Sequence, residues 1–191
     1  MKNILAGSLL ASSLVFGASS VDLNINKDTL EINGNFSLNE AYDLNNNSDY
    51  FLTLSFLNSE AKSSPKSEKL VSMGFKMMNP YISDNGFTFG VGINTVWADN
   101  NEDNFLAIPI NIYGAYQIIE DLHIDTHIAY APKVLSFAKA KRFASGELRV
   151  NYKVIDNGYA YIGARSISTT YEDDTKIKFD NNLFYGFKVQ F

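Results

Sequence analysis

The sequence predicts an all-β fold, a transmembrane antiparallel up-and-down β-barrel of about ten strands, with eight as the alternative count. Three observations predict it. Side chains alternate apolar and polar with a period of two along most of the chain. The 183–191 stretch alternates strictly up to Phe191, with Leu183, Tyr185, Phe187, Val189 and Phe191 on one face. Residues 1–20 read as a secretory leader: a charged Met1-Lys2-Asn3, an apolar run over 4–16, and small residues Gly17-Ala18-Ser19-Ser20.

Cleavage is expected after Ser20, which leaves 21–191 as the barrel. The apolar run is shorter than the roughly 20 residues a membrane helix needs. No Lys-Cys or Ala-Cys junction marks a lipoprotein, and the chain has no cysteine, which excludes disulfides, thiolate metal sites and cysteine nucleophiles. The formal net charge is −5, and no basic run points to nucleic acid.

The elements follow in order. Val21, Leu23 and Ile25 alternate with Asp22, Asn24 and Asn26, and Lys27-Asp28-Thr29 makes a tight turn. Leu30, Ile32, Gly34, Phe36 and Leu38 form the second strand, before an Asn-rich connection at 39–48. Leu52, Leu54 and Phe56 mark the third, and a polar loop at 60–67 follows. Val71, Met73, Phe75 and Met77 mark the fourth, ended by Asn79-Pro80 and Asp84-Asn85-Gly86. Phe87 to Trp97 is the fifth, and 99–104 an acidic loop. Ile108 to Ile118, then Leu122 to Tyr130, flank a short turn at Glu120-Asp121. After a longer loop at 131–141 come Ala144 to Val154, a hairpin at Asp156-Asn157-Gly158, the strand through Ala164, a polar loop at 171–176, and the final strand. The tight turn at 27–29 and the long connection at 39–48 fit a simple short-turn, long-loop asymmetry poorly.

On every strand one face is crowded with Ile, Leu, Val, Phe and Tyr. The other carries Asp22, Glu31, Lys76, Asp125, Glu147, Arg149, Lys153, Arg165 and Lys188. A soluble β-sandwich could alternate too, with its polar face in water, but it accounts for neither end of the chain. The expected location is the bacterial outer membrane, reached by export through the periplasm. The expected partners are outer-membrane lipid and lipopolysaccharide. Trp97, Tyr113, Tyr130, Tyr152, Tyr159 and Tyr171 lie near strand ends, as interfacial girdles require. The last strand, with Tyr185, Phe187, Val189 and Phe191, resembles the signal read by the barrel-assembly machinery.

Ala129-Tyr130-Ala131-Pro132, Gly146-Glu147-Leu148-Arg149-Val150 and Ile162-Gly163-Ala164-Arg165 carry a further likeness. With the leader, the strand spacing and Val189-Gln190-Phe191, they resemble the YfaZ family of small outer-membrane proteins. The resemblance implies a small outer-membrane barrel and brings no established activity with it.

The candidate site is a charged lumen: Asp125, His127, Glu147, Arg149, Arg165 and Lys188. Opposite charges facing across a closed lumen are expected to pair, because unpaired buried charge is costly. The alternative is a narrow polar pathway in which they set solute preference. About ten strands enclose too little space for a wide aqueous pore. His123, Asp125 and His127 alternate on one face, a weak metal or acid–base pattern. Ser136 with His127 is the one conceivable hydrolytic pair, and no Gly-Xaa-Ser-Xaa-Gly elbow exists. The function expected is non-enzymatic, without cofactor or metal: a structural or narrow porin-like barrel. Alternatives are a surface-binding barrel acting through its loops and, less favoured, a lipid-modifying enzyme. Lys133, Lys139, Lys141 and Arg142 surround apolar Val134, Leu135 and Phe137 and could contact lipopolysaccharide phosphates.

Overall fold

The computed structural model describes residues 19–39, 48–60, 68–79, 86–99 and 104–191. The expected leader lies outside them except for Ser19 and Ser20, as do most of the connections at 39–48, 60–67, 80–85 and 99–104. The strands are β1 (Ser20–Ile25), β2 (Thr29–Ser37), β3 (Asp49–Ser59), β4 (Glu68–Asn79), β5 (Phe87–Asp99) and β6 (Phe105–Ala107). They continue with β7 (Ile110–Ile119), β8 (Leu122–Ala131), β9 (Ser136–Ala138), β10 (Ala140–Ile155), β11 (Gly158–Tyr171) and β12 (Lys176–Gln190).

Ten of these strands close into an antiparallel barrel, in the circular order β1-β2-β3-β4-β5-β7-β8-β10-β11-β12. Closure removes the sheet edges and pairs every wall strand on both sides. The short first segment decides ten against eight. It pairs with β12 from Ser20↔Gln190 to Ile25↔Tyr185 and with β2 from Ser20↔Asn35 to Ile25↔Leu30. Ser19, counted in the leader by the sequence reading, is buried: its hydroxyl accepts from the Ser37 N–H at 3.1 Å, and its carbonyl from the Phe191 N–H at 2.9 Å.

The rim where Ser20 meets Gln190 is called the near rim and the opposite one the far rim. At the near rim β7 turns into β8 and β10 into β11, each through two residues, with pairs Ile119↔Leu122 and Ile155↔Gly158. Neither turn contains a residue with positive φ, so they are not the primed hairpin turns. A bulge between Gln117 and Ile119, and another between Lys153 and Ile155, absorbs the twist instead. At the far rim the tight β1–β2 turn is an Asx turn, in which the Asn26 side-chain oxygen accepts from the N–H groups of Asp28 and Thr29, both at 2.8 Å.

The wall is apolar outside. Leu23, Ile32, Phe56, Met73, Phe75, Ile93, Ile112, Ile128, Leu148, Ile162, Leu183 and Tyr185 are all exposed, Leu183 to 70%. A barrel in water would present polar residues there. Of the aromatics expected at the membrane interfaces, Trp97, Tyr130 and Tyr152 point outward. Tyr113, Tyr159 and Tyr171 do not. They sit at inward positions of their strands: Tyr171 is 3% exposed, and the Tyr159 ring meets His123 edge-on at 5.3 Å. Strand parity, not closeness to a strand end, decides the side.

Two prolines interrupt the β7–β8 ladder at one height. Alternation alone extends β7 back to Ile108, but Pro109 offers no N–H to the ladder and the strand starts at Ile110. Pro132 ends β8, and a 3-10 turn at Lys133–Leu135 follows. Beyond them the chain pairs again as β6 with β9, and β6 also pairs with the far end of β5. These short strands, absent from the sequence reading, carry Phe105 into the barrel.

Candidate functional site: the barrel lumen

The lumen has two layers. Toward the far rim it is an apolar seal. Phe105 is 1% exposed, and its ring centroid lies 5.7 Å from Phe179, 6.1 Å from Phe143 and 6.3 Å from Tyr171. Inward residues of the surrounding wall complete the cluster: Leu57, Leu70, Val96, Ala98, Ala129, Ala131 and Ile167. Each belongs to the same strand face that turns polar further down, as Val96 gives way to Asn94, Ala129 to His127 and Ile167 to Arg165.

Below the seal lies the charged layer. Arg165 is its centre, with a side chain only 2% exposed. Its guanidinium donates to Asp180 at 2.7 and 3.0 Å and to Glu31, lies 3.9 Å from Glu147, and rests 5.0 Å from the Phe184 ring centroid. Asn26 and Thr29 also donate to Asp180, and Asn24 and Ser55 to Glu31, so both carboxylates are held from several sides. Such multiple partners are what a carboxylate out of water requires. Arg149 lies 2.9 Å from Glu147 and 3.9 Å from Asp22, with its guanidinium 5.1 Å from the Tyr161 ring. Asp125 accepts from the Asn151 amide at 3.1 Å and lies 3.8 Å from His123. His127 shares a hydrogen bond with Asn111 at 2.9 Å and stacks on Tyr113 at 4.5 Å.

Strand pairing produces this arrangement directly. Glu147 stands opposite Arg165 on one side and His127 on the other, and Arg149 opposite Asp125. Bulky lumen side chains fit because glycines face them. A Cβ at Gly163 would come within 2.6 Å of both the Phe184 ring and the Leu148 carbonyl, and one at Gly186 within 2.5 Å of the Tyr161 ring.

Asp125, His127, Glu147, Arg149, Arg165 and Lys188 all face the lumen, and all line one cavity of about 490 Å³. It runs from the underside of the seal, at Leu70, Val96, Phe143 and Ile167, to the near rim at Ser20, Asp49, His123 and Gln190. Glu31 and Asp180, which bind Arg165 most closely, were not in the sequence-derived cluster. Period two run back from Phe184 through Asn182 places Asp180 inward, so the signal was present. Phe105 had no such signal, because three residues beside a proline show no period.

The His123, Asp125, His127 set does not converge: His127 is taken by Asn111 and Tyr113, and no group of metal-binding side chains forms among the described residues. The Ser136 hydroxyl donates to the Pro132 carbonyl at 3.0 Å in the far layer, away from His127. Of the cations expected in a loop, Lys133 lies in the 3-10 turn, 3.4 Å from Glu172, while Lys141 and Arg142 stand on β10, which begins at Ala140; there Lys141 pairs with Asp174 and Arg142 donates to Thr170 at 3.1 Å. The Thr175 hydroxyl and N–H donate to Asp173 at 2.7 and 3.0 Å and hold its carboxyl below the usual range. Tyr185, Phe187, Val189 and Phe191 line the outer wall.

No family model matches the chain, and no curated protein matches it. Among solved structures it is similar to the outer membrane channel DcaP of Acinetobacter baumannii, at 12% identity and TM-score 0.47 over 89% of this chain and 54% of that one. It is similar to the NanC porin at 12% identity and TM-score 0.49, over 91% of this chain and 99% of that one. It is also similar to outer-membrane expressed OmpT of Vibrio cholerae, at 14% identity and TM-score 0.41, over 85% of this chain and 56% of that one. The chain thus spans about half the length of DcaP and of OmpT.

Proposed function

We propose that this chain is a non-enzymatic outer-membrane barrel of the bacterial envelope, a porin-like conduit that the Phe105 seal holds shut at its far end. The inverted wall supports the membrane location, since so much exposed Ile, Leu, Val and Phe is stable only against hydrocarbon. The YfaZ-like segments and the expected leader fit the same reading. The observation that carries the conduit over a purely structural barrel is the cavity of about 490 Å³, which reaches from the near rim to the seal and stops there. The packed seal is confined to the far half, where Phe105 enters on the three-residue β6, and the near half below it is not filled. The far rim would face outward, and Lys133, Lys139, Lys141 and Arg142 would then lie at the level of lipopolysaccharide phosphates.

Planar-bilayer recording of the refolded protein beside Phe105→Ala tests the conduit. The wild type is expected to be nearly silent and the variant to show discrete steps. Equal steps in both would place the barrier elsewhere. Silence in both, with barrels that fold, would leave a structural role.

A further inference from the structure

The outer wall changes character along β10, β11 and β12. Toward the near rim its outward side chains are Tyr152, Val154, Ile162, Phe187 and Val189, all apolar or aromatic. Toward the far rim the same wall turns basic. A bulge between Ile167 and Ser168 takes both Phe179 and Asp180 inward, so Lys178 faces outward opposite Ser168 and Lys176 opposite Thr170. Arg142 completes the row on β10, opposite Thr170, whose hydroxyl accepts from its Nε at 3.1 Å. All three cations are exposed, and among the described residues none has a carboxylate within ion-pair distance. The acids of that rim are engaged elsewhere: Glu172 by Lys133, Asp174 by Lys141, Asp173 by Thr175, Asp28 by Lys27, and Asp180 inside the barrel by Arg165. Glu60, at the end of β3, pairs with none of the three. The outward positions of β8, β10, β11, β12 and β1 hold no Asp or Glu.

Directly below these cations the wall is dented. Gly146 stands opposite Ser166 and Ser166 opposite Asn181, and in the next row Ala164 lies between Leu148 and Leu183. The small side chains leave a shallow groove of about 550 Å³ on the outer face, flanked by Thr126 and Ile128 of β8. A Cβ on Gly146 would meet nothing within 4 Å. Ser166 and Asn181 are exposed polar groups at its upper end, where the apolar wall stops. We propose that this face binds the phosphorylated glycolipid of the outer leaflet, the lipid anchor of lipopolysaccharide. Its phosphates would lie among Arg142, Lys176 and Lys178, and an acyl chain in the groove beneath. The cations are spread from β10 to β12, about 10 Å, which suits a head group with two separated phosphates better than one. The site rests on the outer-membrane barrel with its far rim outward, but not on whether the lumen conducts. It sets the glycolipid on the outer wall rather than at Lys133 and Lys141, whose charges are already paired.

The test is native mass spectrometry of the refolded full chain released from a non-ionic detergent. Bisphosphorylated lipid A, monophosphorylated lipid A, phosphatidylglycerol and phosphatidylethanolamine are added one at a time. Far-UV circular dichroism and heat-modifiable gel migration are read first. A chain that fails them counts against the barrel, while a folded barrel with no preference among the lipids overturns the site alone. Bisphosphorylated lipid A is expected to be retained at least about tenfold better than phosphatidylethanolamine, and several-fold better than the monophosphorylated form. Replacing Arg142→Gln, Lys176→Gln and Lys178→Gln together should cost about tenfold or more of that retention. Lys133→Gln with Lys141→Gln removes cations that are already paired and should cost less than about twofold. Gly146→Leu puts a side chain into the groove without entering the lumen, and should weaken retention several-fold with every cation in place. Lipid A retention unchanged in the triple variant, equal losses in the paired and unpaired sets, or phosphatidylglycerol retained as well as lipid A would each overturn the proposal.

Discussion

The two halves of the lumen obey one backbone rule and solve opposite problems. In the far half, inward positions hold Leu57, Leu70, Val96, Phe143 and Ile167 around Phe105, and the space fills like a soluble core. In the near half, the same faces of the same strands hold Ser55, Ser72, Asn94, Glu147 and Arg165, and a cavity remains. Apolar groups gain by packing out water, and nothing is lost when the space closes completely. Charged groups gain only when each finds a partner, so they set distances and leave room around them. A barrel can therefore be stoppered at one level and kept open at another by changing only which inward positions are apolar.

The sharpest way to break the charged half is Arg165→Met. It removes the group that Glu31, Asp180 and Glu147 share, leaving buried carboxylates uncompensated, and should cost about 3–5 kcal/mol in reversible urea unfolding into micelles or vesicles. A loss under about 1 kcal/mol would mean that water, rather than Arg165, satisfies those acids. Phe143→Ala tests the apolar half. Its side chain is 3% exposed against Phe105, so a loss of about 3 kcal/mol is expected by the same unfolding measurement. Phe143→Ala should also raise conductance toward that of the Phe105 variant, which Arg165→Met should not do. The far-rim ends of β10 and β11 belong to neither half. Lys141→Ala breaks an exposed pair with Asp174 and should move stability by no more than about 0.5 kcal/mol. A larger loss would tie the start of β10 and the turn at 172–174 to the seal they surround.

Much of this was written in the alternation. Leu183, Tyr185, Phe187 and Val189 were legible as the outer wall, and Glu147, Arg149 and Arg165 as lumen residues, because side-chain direction in a paired strand follows from parity alone. The two-layer lumen was half legible. Leu70, Val96 and Ile167 are apolar residues on otherwise polar faces, but only register shows that they share one height. Tyr113, Tyr159 and Tyr171 lie near strand ends yet face inward, because parity and not position along the strand sets side-chain direction.

The sequence by itself determined the strands, the direction of nearly every side chain, and hence an apolar outside around a polar inside, since these are local consequences of a two-residue period. Tertiary structure decided what depends on closure. It paired β1 with β12, which made the count ten. It brought Glu31 to Arg165 from a strand far away in sequence, and it turned Phe105 inward once Pro109 and Pro132 had interrupted the ladder. Partners across a lumen are set by register and curvature summed around the whole ring, and no window of the sequence contains that sum.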